Sequence, residues 1–328
     1  EYTLQLDSHM RFEQDWDDTL IKMIKQLQKK GHKKPLLTGY VSSFDPDNDP
    51  GGRIQQPWKM NFDRFIPEGA VFFLPATIDD YKERTEPLPA RFYSAHFCFT
   101  LGSFIKEVPH DPEYYFHGEE ISIAVRAYTW GYDLFHPHKT VIWHEYTRKG
   151  RTKQWDDDKS WGGKNANSHK RNRKLFEMDG EVKDIEFGIY DFGKVRSLLD
   201  YEKYSGLSFK RRAVQKYTLD NNLAPNPILG DEEFEQSFTS IFKHCIDLNR
   251  EQFVNDDYLF WAVIFEDEKN SQVNRIDLNE TEVKNLLNTT DTFIKVWRTF
   301  EVEKKPSKWI VWPYSESKGW LDKIEGKL

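Results

Sequence analysis

The chain has 328 residues and a formal net charge of −7, a length that suits two domains better than one. Hydrophobic residues make up 38% of the sequence, so a sizeable core can form and global disorder is excluded. The acidic balance argues against a nucleic-acid partner, because phosphate neutralisation needs a clustered basic surface. No apolar run approaches the ~20 residues of a membrane-spanning helix, so no membrane span is expected.

The two cysteines, Cys98 and Cys245, are too few for a disulfide framework and lie in apolar surroundings. We therefore expect buried free thiols, which suit a reducing compartment. The first residues alternate like a strand and do not show the pattern of a signal peptide. Together these features predict a cytoplasmic location.

The first half of the sequence predicts alternating strands and helices, which is typical of an α/β fold. A strand at its start is followed by an amphipathic helix over residues 17–30, in which Leu20, Ile24 and Leu27 share one face. Later elements are predicted as strands at residues 35–44, 69–77 and 92–101, a helix at 117–133 and a strand at 139–146.

A long polar region, residues 147–184, follows the last of these strands. Its composition predicts a loop with one helix near residues 169–178. Two interpretations have equal weight for this basic loop. It is either a solvated charged segment or a lid in which Arg148 and Trp155 close over a bound ligand and exclude water.

The C-terminal region has a different pattern from the rest of the chain. Several short apolar runs are separated by polar turns, and this spacing predicts a small β-sandwich-like domain. We place the domain boundary after residue 229, so that residues 1–229 form the main N-terminal domain and residues 230–328 an accessory domain.

Asp7 and His9 follow the first predicted strand. Residues at i and i+2 of an extended chain project to the same side, and a carboxylate with an imidazole can bind a divalent metal. Asp-Ser-His is also a good turn sequence, and for the tripeptide alone that interpretation is favoured.

Two more features carry candidate chemistry. Glu119 and Glu120 follow Gly118 at the start of a predicted helix, where acids also complement the helix dipole. His144 ends an apolar strand and is followed by an acid. Each feature has an ordinary structural explanation by itself, and only the ordered set points to a shared site.

The ordered set resembles the GlcNAc-transferase family typified by the enzyme that modifies hydroxyproline in Skp1, and it is more distantly similar to the polypeptide GalNAc-transferases. The resemblance covers roughly residues 1–210 and says little about residues 230–328. It rests on the segments LQLDSHMRFEQDWD, FYSAHFCFTLGSFIKEVPHDP, YYFHGEEISIAVRAYTWGYDLFHPH, WHEY and FGKVRSLLDYEKYSGLSF.

The resemblance implies a GT-A glycosyltransferase domain, a Rossmann-like α/β fold that uses a UDP-sugar donor with Mn²⁺ or Mg²⁺. It implies that Asp7, His9 and His144 bind the metal, in an Asp-x-His variant of the Asp-x-Asp motif, and that Asp7 and Ser8 contact the donor. In this family the uridine is held by strands that precede the Asp-Ser-His strand. We therefore expect those N-terminal nucleotide-binding strands to be missing from the present sequence.

The resemblance also implies roles for the pair of acids. We expect Glu119 to contact the donor sugar and Glu120 to face the acceptor. Trp130 and Asp133 are expected to line the same cleft. Retention of the anomeric configuration comes from the resemblance alone, and no covalent nucleophile is assigned.

The leading hypothesis is a metal-dependent, retaining transfer of GlcNAc from UDP-GlcNAc to a hydroxyl of a protein (hydroxyproline, Ser or Thr) or of a glycan. One alternative is a catalytically degenerate sugar-nucleotide-binding protein that tethers a partner through its C-terminal domain. Another is a GT-A transferase that uses a different UDP-sugar. A metallohydrolase is disfavoured, because the remaining histidines do not supply the further ligands that it would need.

Overall fold

The structure, a computed structural model, describes residues 1–147, 152, 154–302 and 304–328. Within them the chain divides into two compact units, Glu1–Phe238 and Thr239–Leu328. The first unit thus ends after Phe238, later than the predicted boundary after residue 229. The difference arises because the short helix Asp231–Gln236 packs Phe234 beside Lys203, whose ammonium lies 5.5 Å from the Phe234 ring.

Strands and helices are interleaved along the first unit, which is the mixed α/β organisation that the sequence predicts. Its helices are α1 (Trp16–Lys29), α2 (Phe104–Glu107), α3 (Glu119–Thr129), α4 (Gln154–Asp157), α5 (Trp161–Leu175), α6 (Leu198–Ser205), α7 (Lys216–Leu219) and α8 (Asp231–Gln236). Its strands are β1 (Tyr2–Leu6), β2 (Met10–Phe12), β3 (Pro35–Thr38), β4 (Ser42–Ser43), β5 (Trp58–Phe65), β6 (Val71–Thr77), β7 (Leu88–Pro89), β8 (Phe97–Leu101), β9 (Asp133–His136), β10 (Ile142–His144), β11 (Leu207–Ser208), β12 (Ala213–Gln215) and, across the boundary, β13 (Phe238–Thr239).

A five-stranded sheet forms the centre of the first unit, in the order β1-β8-β3-β9-β7. The β3–β9 pair is parallel, whereas the other neighbours are antiparallel. Helix α1 covers one face of this sheet with Leu20, Met23, Ile24 and Leu27, which includes the face predicted from the helical spacing. Three further strands form a smaller sheet in the order β2-β10-β4. Along the chain, β2 follows β1 and β10 follows β9.

Two predictions about local structure are wrong in part. Residues 35–44 form two strands in different sheets, because Gly39 takes a φ of +154° between them. Residues 147–184 are largely helical in the part that is described, since α4 and α5 lie there. Helix α5 has no apolar stripe for a sequence pattern to detect, because its buried side chains include the polar residues Ser168, His169 and Asn172.

The second unit consists mainly of antiparallel strands. They are β14 (Ile241–Asn249), β15 (Tyr258–Glu266), β16 (Gln272–Asn279), β17 (Phe293–Glu301), β18 (Lys308–Ser315), β19 (Gly319–Trp320) and β20 (Ile324–Lys327), with one helix, α9 (Glu280–Leu287). One sheet has the order β16-β15-β18-β19 with β20 on β18, and the other pairs β14 with β17. Side chains of both sheets share one core, among them Ile246, Val263, Val296 and Val311.

The two cysteines are free thiols. Cys98 is buried in β8 as predicted, whereas Cys245 on β14 is only half-buried. Among the helices in the described part of the chain, none has the length and apolar character needed to cross a bilayer.

Candidate active site

The turn between β1 and β2 carries Asp7, and strand pairing sets what lies beside it. β1 and β8 are antiparallel with Leu6 opposite Phe97. The pairing continues for one more residue, because the Asp7 amide donates a hydrogen bond to the His96 carbonyl over 3.1 Å. The chain then crosses to the smaller sheet, where Met10 lies opposite His144 at the end of β10. Asp7, His96 and His144 therefore meet where the two sheets adjoin.

These three side chains form a compact cluster of possible metal ligands. One ligand atom from each residue lies within 4.8 Å of the other two. The Asp7 Oδ2 atom is 3.3 Å from His144 Nε2 and 3.8 Å from His96 Nε2. Adjacent ligands of a six-coordinate ion bound at ~2.1 Å lie about 3 Å apart. The cluster could therefore hold a small divalent cation after slight adjustment.

His144 supports this assignment because it is buried and its ring nitrogens are poorly satisfied among the described residues. The residue is only 4% exposed, neither ring nitrogen makes a hydrogen bond of good geometry, and Nε2 has only the 3.3 Å contact with Asp7 Oδ2. A poorly satisfied buried polar group is costly, and coordination of a cation would satisfy Nε2. The polar contact with His144 also holds the pKa of Asp7 well below its usual range, so this carboxylate is ionised and ready to bind a cation.

His9 does not join the cluster in this structure. The residue is exposed, its backbone has a φ of +66°, and its ring centroid lies 6.5 Å from that of His144. Its carbonyl instead accepts a hydrogen bond from the Glu145 amide over 3.2 Å. Sequence reasoning missed His96, although an antiparallel pairing of the first strand with the segment FYSAHFCF would have placed it beside Asp7.

Two tyrosines pack around the cluster. The Tyr146 ring lies 4.4 Å from the His144 ring and 5.8 Å from the His96 ring, and Tyr40 lies 5.2 Å from His96 on another side. The Tyr146 hydroxyl donates to the Val41 carbonyl over 2.8 Å, which fixes that ring. Burial raises the pKa of both tyrosines, so they remain neutral. These contacts hold the imidazoles in place, as surrounding residues do in metal sites.

Glu119 and Glu120 begin α3 and face the same region. The Glu120 Oε1 atom accepts a hydrogen bond from the Ala95 amide over 2.9 Å, which ties α3 to the residue before His96. Within the described part of the chain, no hydrogen bond reaches the Glu119 carboxylate. Glu119 is therefore the member of the pair whose oxygens are available to a ligand.

Both acids have unusual acidities. Burial raises the pKa of Glu119 to about 7, and the charge of Glu120 adds to this effect. Burial likewise raises the pKa of Glu120 to about 7, although the hydrogen bond from Ala95 opposes the shift. Carboxyl groups poised near neutral pH in a cleft are typical of functional sites.

A single pocket joins the acids to the metal-ligand cluster. Its cavity volume is about 390 Å³, which lies within the range of small-molecule sites. Asp7 and His96 line it together with Glu119 and Glu120. The remaining lining residues are mainly aromatic or aliphatic: Leu6, Tyr40, Val71, Phe72, Phe73, Tyr115, Phe116, His117 and Ile121, with Gln5, Ala95 and Gly118.

Helix α5 supports the segment that leads into Glu119. The Ser168 hydroxyl accepts a hydrogen bond from the Tyr115 amide over 2.7 Å, and the Asn165 carbonyl oxygen accepts one from the His117 amide over 3.4 Å. Asn172 accepts another from the Tyr114 hydroxyl over 3.2 Å. These bonds satisfy backbone groups of an irregular segment. The polar region after His144 thus positions the pocket wall.

The other predicted site residues are less closely associated with the pocket. Ser8 follows Asp7 and donates its amide to Asp7 Oδ1 over 2.8 Å, but it does not line the pocket. Trp130 follows the far end of α3, about 16 Å along the helix axis from Glu119, and Asp133 begins β9. Arg148 lies outside the described residues, and Trp155 belongs to α4 with a side chain that is likewise outside the description.

Asp133 is held by two polar partners outside the pocket. Its carboxylate pairs with Arg196 over 2.6 Å and with His32 over 2.8 Å. Neither Asp133 nor Trp130 is among the residues that line the pocket. The predicted contact of these two residues with substrate stays a prediction.

The comparison with protein-family models agrees with this geometry. The model described as "Glycosyltransferase (GlcNAc)" matches residues 1–211, which is more than half of the chain. The matched range contains all residues that line the pocket and ends before the second unit begins. No curated protein matches the chain.

We predict that Gly118→Ala destabilises the protein. Gly118 has a φ of +92°, and an added Cβ would lie 3.2 Å from Asn172 and from Tyr114. The left-handed backbone alone should cost about 1–2 kcal/mol of unfolding free energy. As a control, Gly162→Ala in α5 meets nothing within 4 Å and should gain about 0.5–1 kcal/mol. Urea unfolding of both variants checks this, and similar effects of the two changes would contradict it.

The raised pKa values of Glu119 and Glu120 predict how the stability of the metal-free protein depends on pH. The pKa of both acids rises from 4.5 to about 7 on folding, so the folded state holds these protons more tightly than the unfolded state. The two protonated acids therefore stabilise the folded state fully below about pH 4.5, and this stabilisation is lost as the pH rises through about 7. The double variant Glu119→Gln/Glu120→Gln should lose less stability between pH 5 and pH 8 than wild type.

Urea unfolding across that pH range measures this difference. Glu113→Gln is the matched control, because it changes an exposed acid a few residues before the pair. An unchanged pH dependence in the double variant would show that the two acids do not titrate as described.

Proposed function

Because the chain belongs to the GlcNAc glycosyltransferase family, we propose that it transfers GlcNAc from UDP-GlcNAc to a hydroxyl of a protein or glycan. The proposed reaction needs a divalent metal, retains the anomeric configuration and takes place in a GT-A-type domain. The observation that carries this proposal is the single pocket that Asp7 and His96 line together with Glu119 and Glu120. A transferase needs both a diphosphate-binding end and a sugar-binding end in one cavity.

Asp7, His96 and His144 are the residues that would hold the metal, for which Mn²⁺ or Mg²⁺ is proposed. A mixture of one carboxylate and two imidazoles suits Mn²⁺ better than Mg²⁺, because Mg²⁺ prefers oxygen ligands. When bound, the ion would neutralise charge on the diphosphate leaving group and orient it. Asp7 is half-exposed, so it can reach both the ion and an incoming donor.

Glu119 is the proposed contact for the donor sugar. An ionised carboxylate accepts strong hydrogen bonds from hydroxyls, and no described residue competes for its oxygens. Its position at the start of α3 allows it to reach into the pocket while the backbone stays fixed by Gly118 and α5. Its raised pKa makes proton exchange with a hydroxyl possible near neutral pH.

Glu120 has a double role in this proposal. Its hydrogen bond to the Ala95 amide holds the turn that carries His96, so Glu120 positions the metal-ligand cluster. Its second carboxylate oxygen is proposed to face the acceptor hydroxyl. The aromatic pocket wall, including Tyr40 and Phe72, would limit access of water and so protect the donor from hydrolysis.

We predict that the protein releases UDP from UDP-GlcNAc faster than from UDP-GalNAc or UDP-glucose, and that a chelator abolishes this release. Glu119→Gln should reduce turnover by about a hundredfold or more, as expected for the loss of a positioned acid–base or orienting group, while leaving Mn²⁺ binding intact. Glu113→Gln again serves as the control and should match wild type.

The outcomes of this assay separate the alternatives. Faster release from another UDP-sugar would change the donor but keep the transferase. Binding of UDP-GlcNAc without turnover of any donor, in a folded protein, would favour a catalytically degenerate binding protein. An inverted product anomer, observed by NMR, would overturn the retaining mechanism.

A second prediction concerns the metal ligands. The geometry favours His96, whereas the family resemblance implies His9. We expect His96→Ala and His144→Ala each to weaken Mn²⁺ affinity at least tenfold in the presence of UDP, because each removes a coordinating nitrogen. His9→Ala should have a smaller effect. Isothermal titration calorimetry measures these affinities, and a loss in His9→Ala with wild-type binding in His96→Ala would establish the alternative ligand set.

A further inference from the structure

The five-stranded sheet of the second unit has aromatic residues at outward positions. Trp261, Val263 and Phe265 of β15 point into the core, so the alternate residues of this strand lie on the opposite face. This face carries a second apolar cluster of the buried residues Ala262, Ile264 and Ile310, against which Phe260 and Trp312 pack. Beside it lies a group of rings, here called the aromatic platform, that consists of Phe260, Trp312, Tyr314 and Trp320.

Trp320 is the exposed member of the platform and is supported by the other three rings. It is 41% exposed. Its ring centroid lies 4.2 Å from Trp312, 5.2 Å from Tyr314 and 5.3 Å from Phe260. An exposed ring held by neighbouring rings loses little conformational entropy when it binds a ligand. Trp320 therefore has the properties of a binding group.

The rings that support Trp320 are themselves held in place by other contacts. The Trp312 indole nitrogen donates to the Leu321 carbonyl over 2.8 Å, and the Lys323 ammonium lies 4.2 Å from the Trp312 ring. Tyr314 and Phe260 are stacked at 5.1 Å. The surface available to a ligand is thus mainly the outer side of Trp320 and the edges of its neighbours.

The small area of the platform indicates a small ligand. It spans three neighbouring strands, about 10 Å, and two outward positions along a strand, about 7 Å. The footprint of roughly 70 Å² is about a tenth of the ~800 Å² that each partner buries in a stable protein–protein interface. A protein partner would need a much larger apolar surface than this one.

Charge on the same face argues for a neutral ligand. Arg275 and Asp277 of β16 form a two-bond ion pair at 2.8 and 3.0 Å. Lys308 and Glu266 form another at 2.8 Å. Among the described residues these four charges cancel in pairs, and Lys323 at the Trp312 ring is a single cation rather than the cluster that a phosphate-rich ligand needs. It offers instead aromatic surface flanked by hydrogen-bonding groups.

We propose that the aromatic platform binds a neutral oligosaccharide, with one sugar ring stacked on Trp320. A pyranose matches this site because its ring has an apolar side of C–H groups and a rim of hydroxyls, and the platform has aromatic rings with polar residues at its edge. Asp277 lies three strand spacings from Trp320, about 14 Å, so a chain of several sugars could reach both. This site does not depend on the proposed transfer reaction.

The test uses the full chain and three neutral probes: triacetylchitotriose, cellotriose and maltotriose. Isothermal titration calorimetry should detect binding of at least one probe. Trp320→Ala should weaken that binding at least tenfold, whereas Trp320→Phe should keep most of it. Trp297→Ala is the matched control, because Trp297 is 50% exposed on β17 of the other sheet, and this variant should bind like wild type.

A second measurement on wild type does not require a folded variant. Mild oxidation followed by mass spectrometry should show that the bound probe protects Trp320 and leaves Trp297 unprotected. The proposal is overturned if no probe binds, or if Trp320 is not protected. It is also overturned if Glu119→Gln loses binding while Trp320→Ala keeps it, since the sugar would then occupy the pocket of the first unit.

Discussion

The antiparallel pairing of β1 with β8 is the constraint on which the candidate active site depends. It sets Asp7 beside His96, and its last hydrogen bond joins the backbones of these two residues over 3.1 Å. A shift of one residue in this register would turn the side chains of the strand to the other face of the sheet. The cluster therefore depends on backbone pairing as much as on the identity of its side chains.

The part of the pocket wall that leads to Glu119 is stabilised by hydrogen bonds to α5 rather than by strand pairing. The segment before Gly118 has irregular backbone, and α5 supplies the hydrogen-bond partners that a regular element would find in itself. This explains why a helix with buried Ser168 and Asn172 is compatible with a stable core. Its polar side chains replace the apolar stripe that helices normally bury.

The sequence predicts the parts of the molecule that follow periodic rules. The α/β alternation and the buried face of α1 could be read from apolar spacing, and Asp7, Glu119 and His144 could be found because each lies at the end of a regular element. His96 could not be found in this way, since its proximity to Asp7 comes from pairing between distant segments. Helix α5 was missed because its burial depends on hydrogen bonds to a loop, which leave no periodic pattern.

The hydrogen bond between Glu120 and Ala95 connects the start of α3 to the segment that carries His96. An ionised carboxylate holds that amide more strongly than a protonated one, so the charge state of Glu120 and the position of the adjacent His96 are thermodynamically coupled. Such coupling is reciprocal. Binding at the Asp7–His96–His144 cluster and protonation of Glu120 would therefore influence one another through this hydrogen bond.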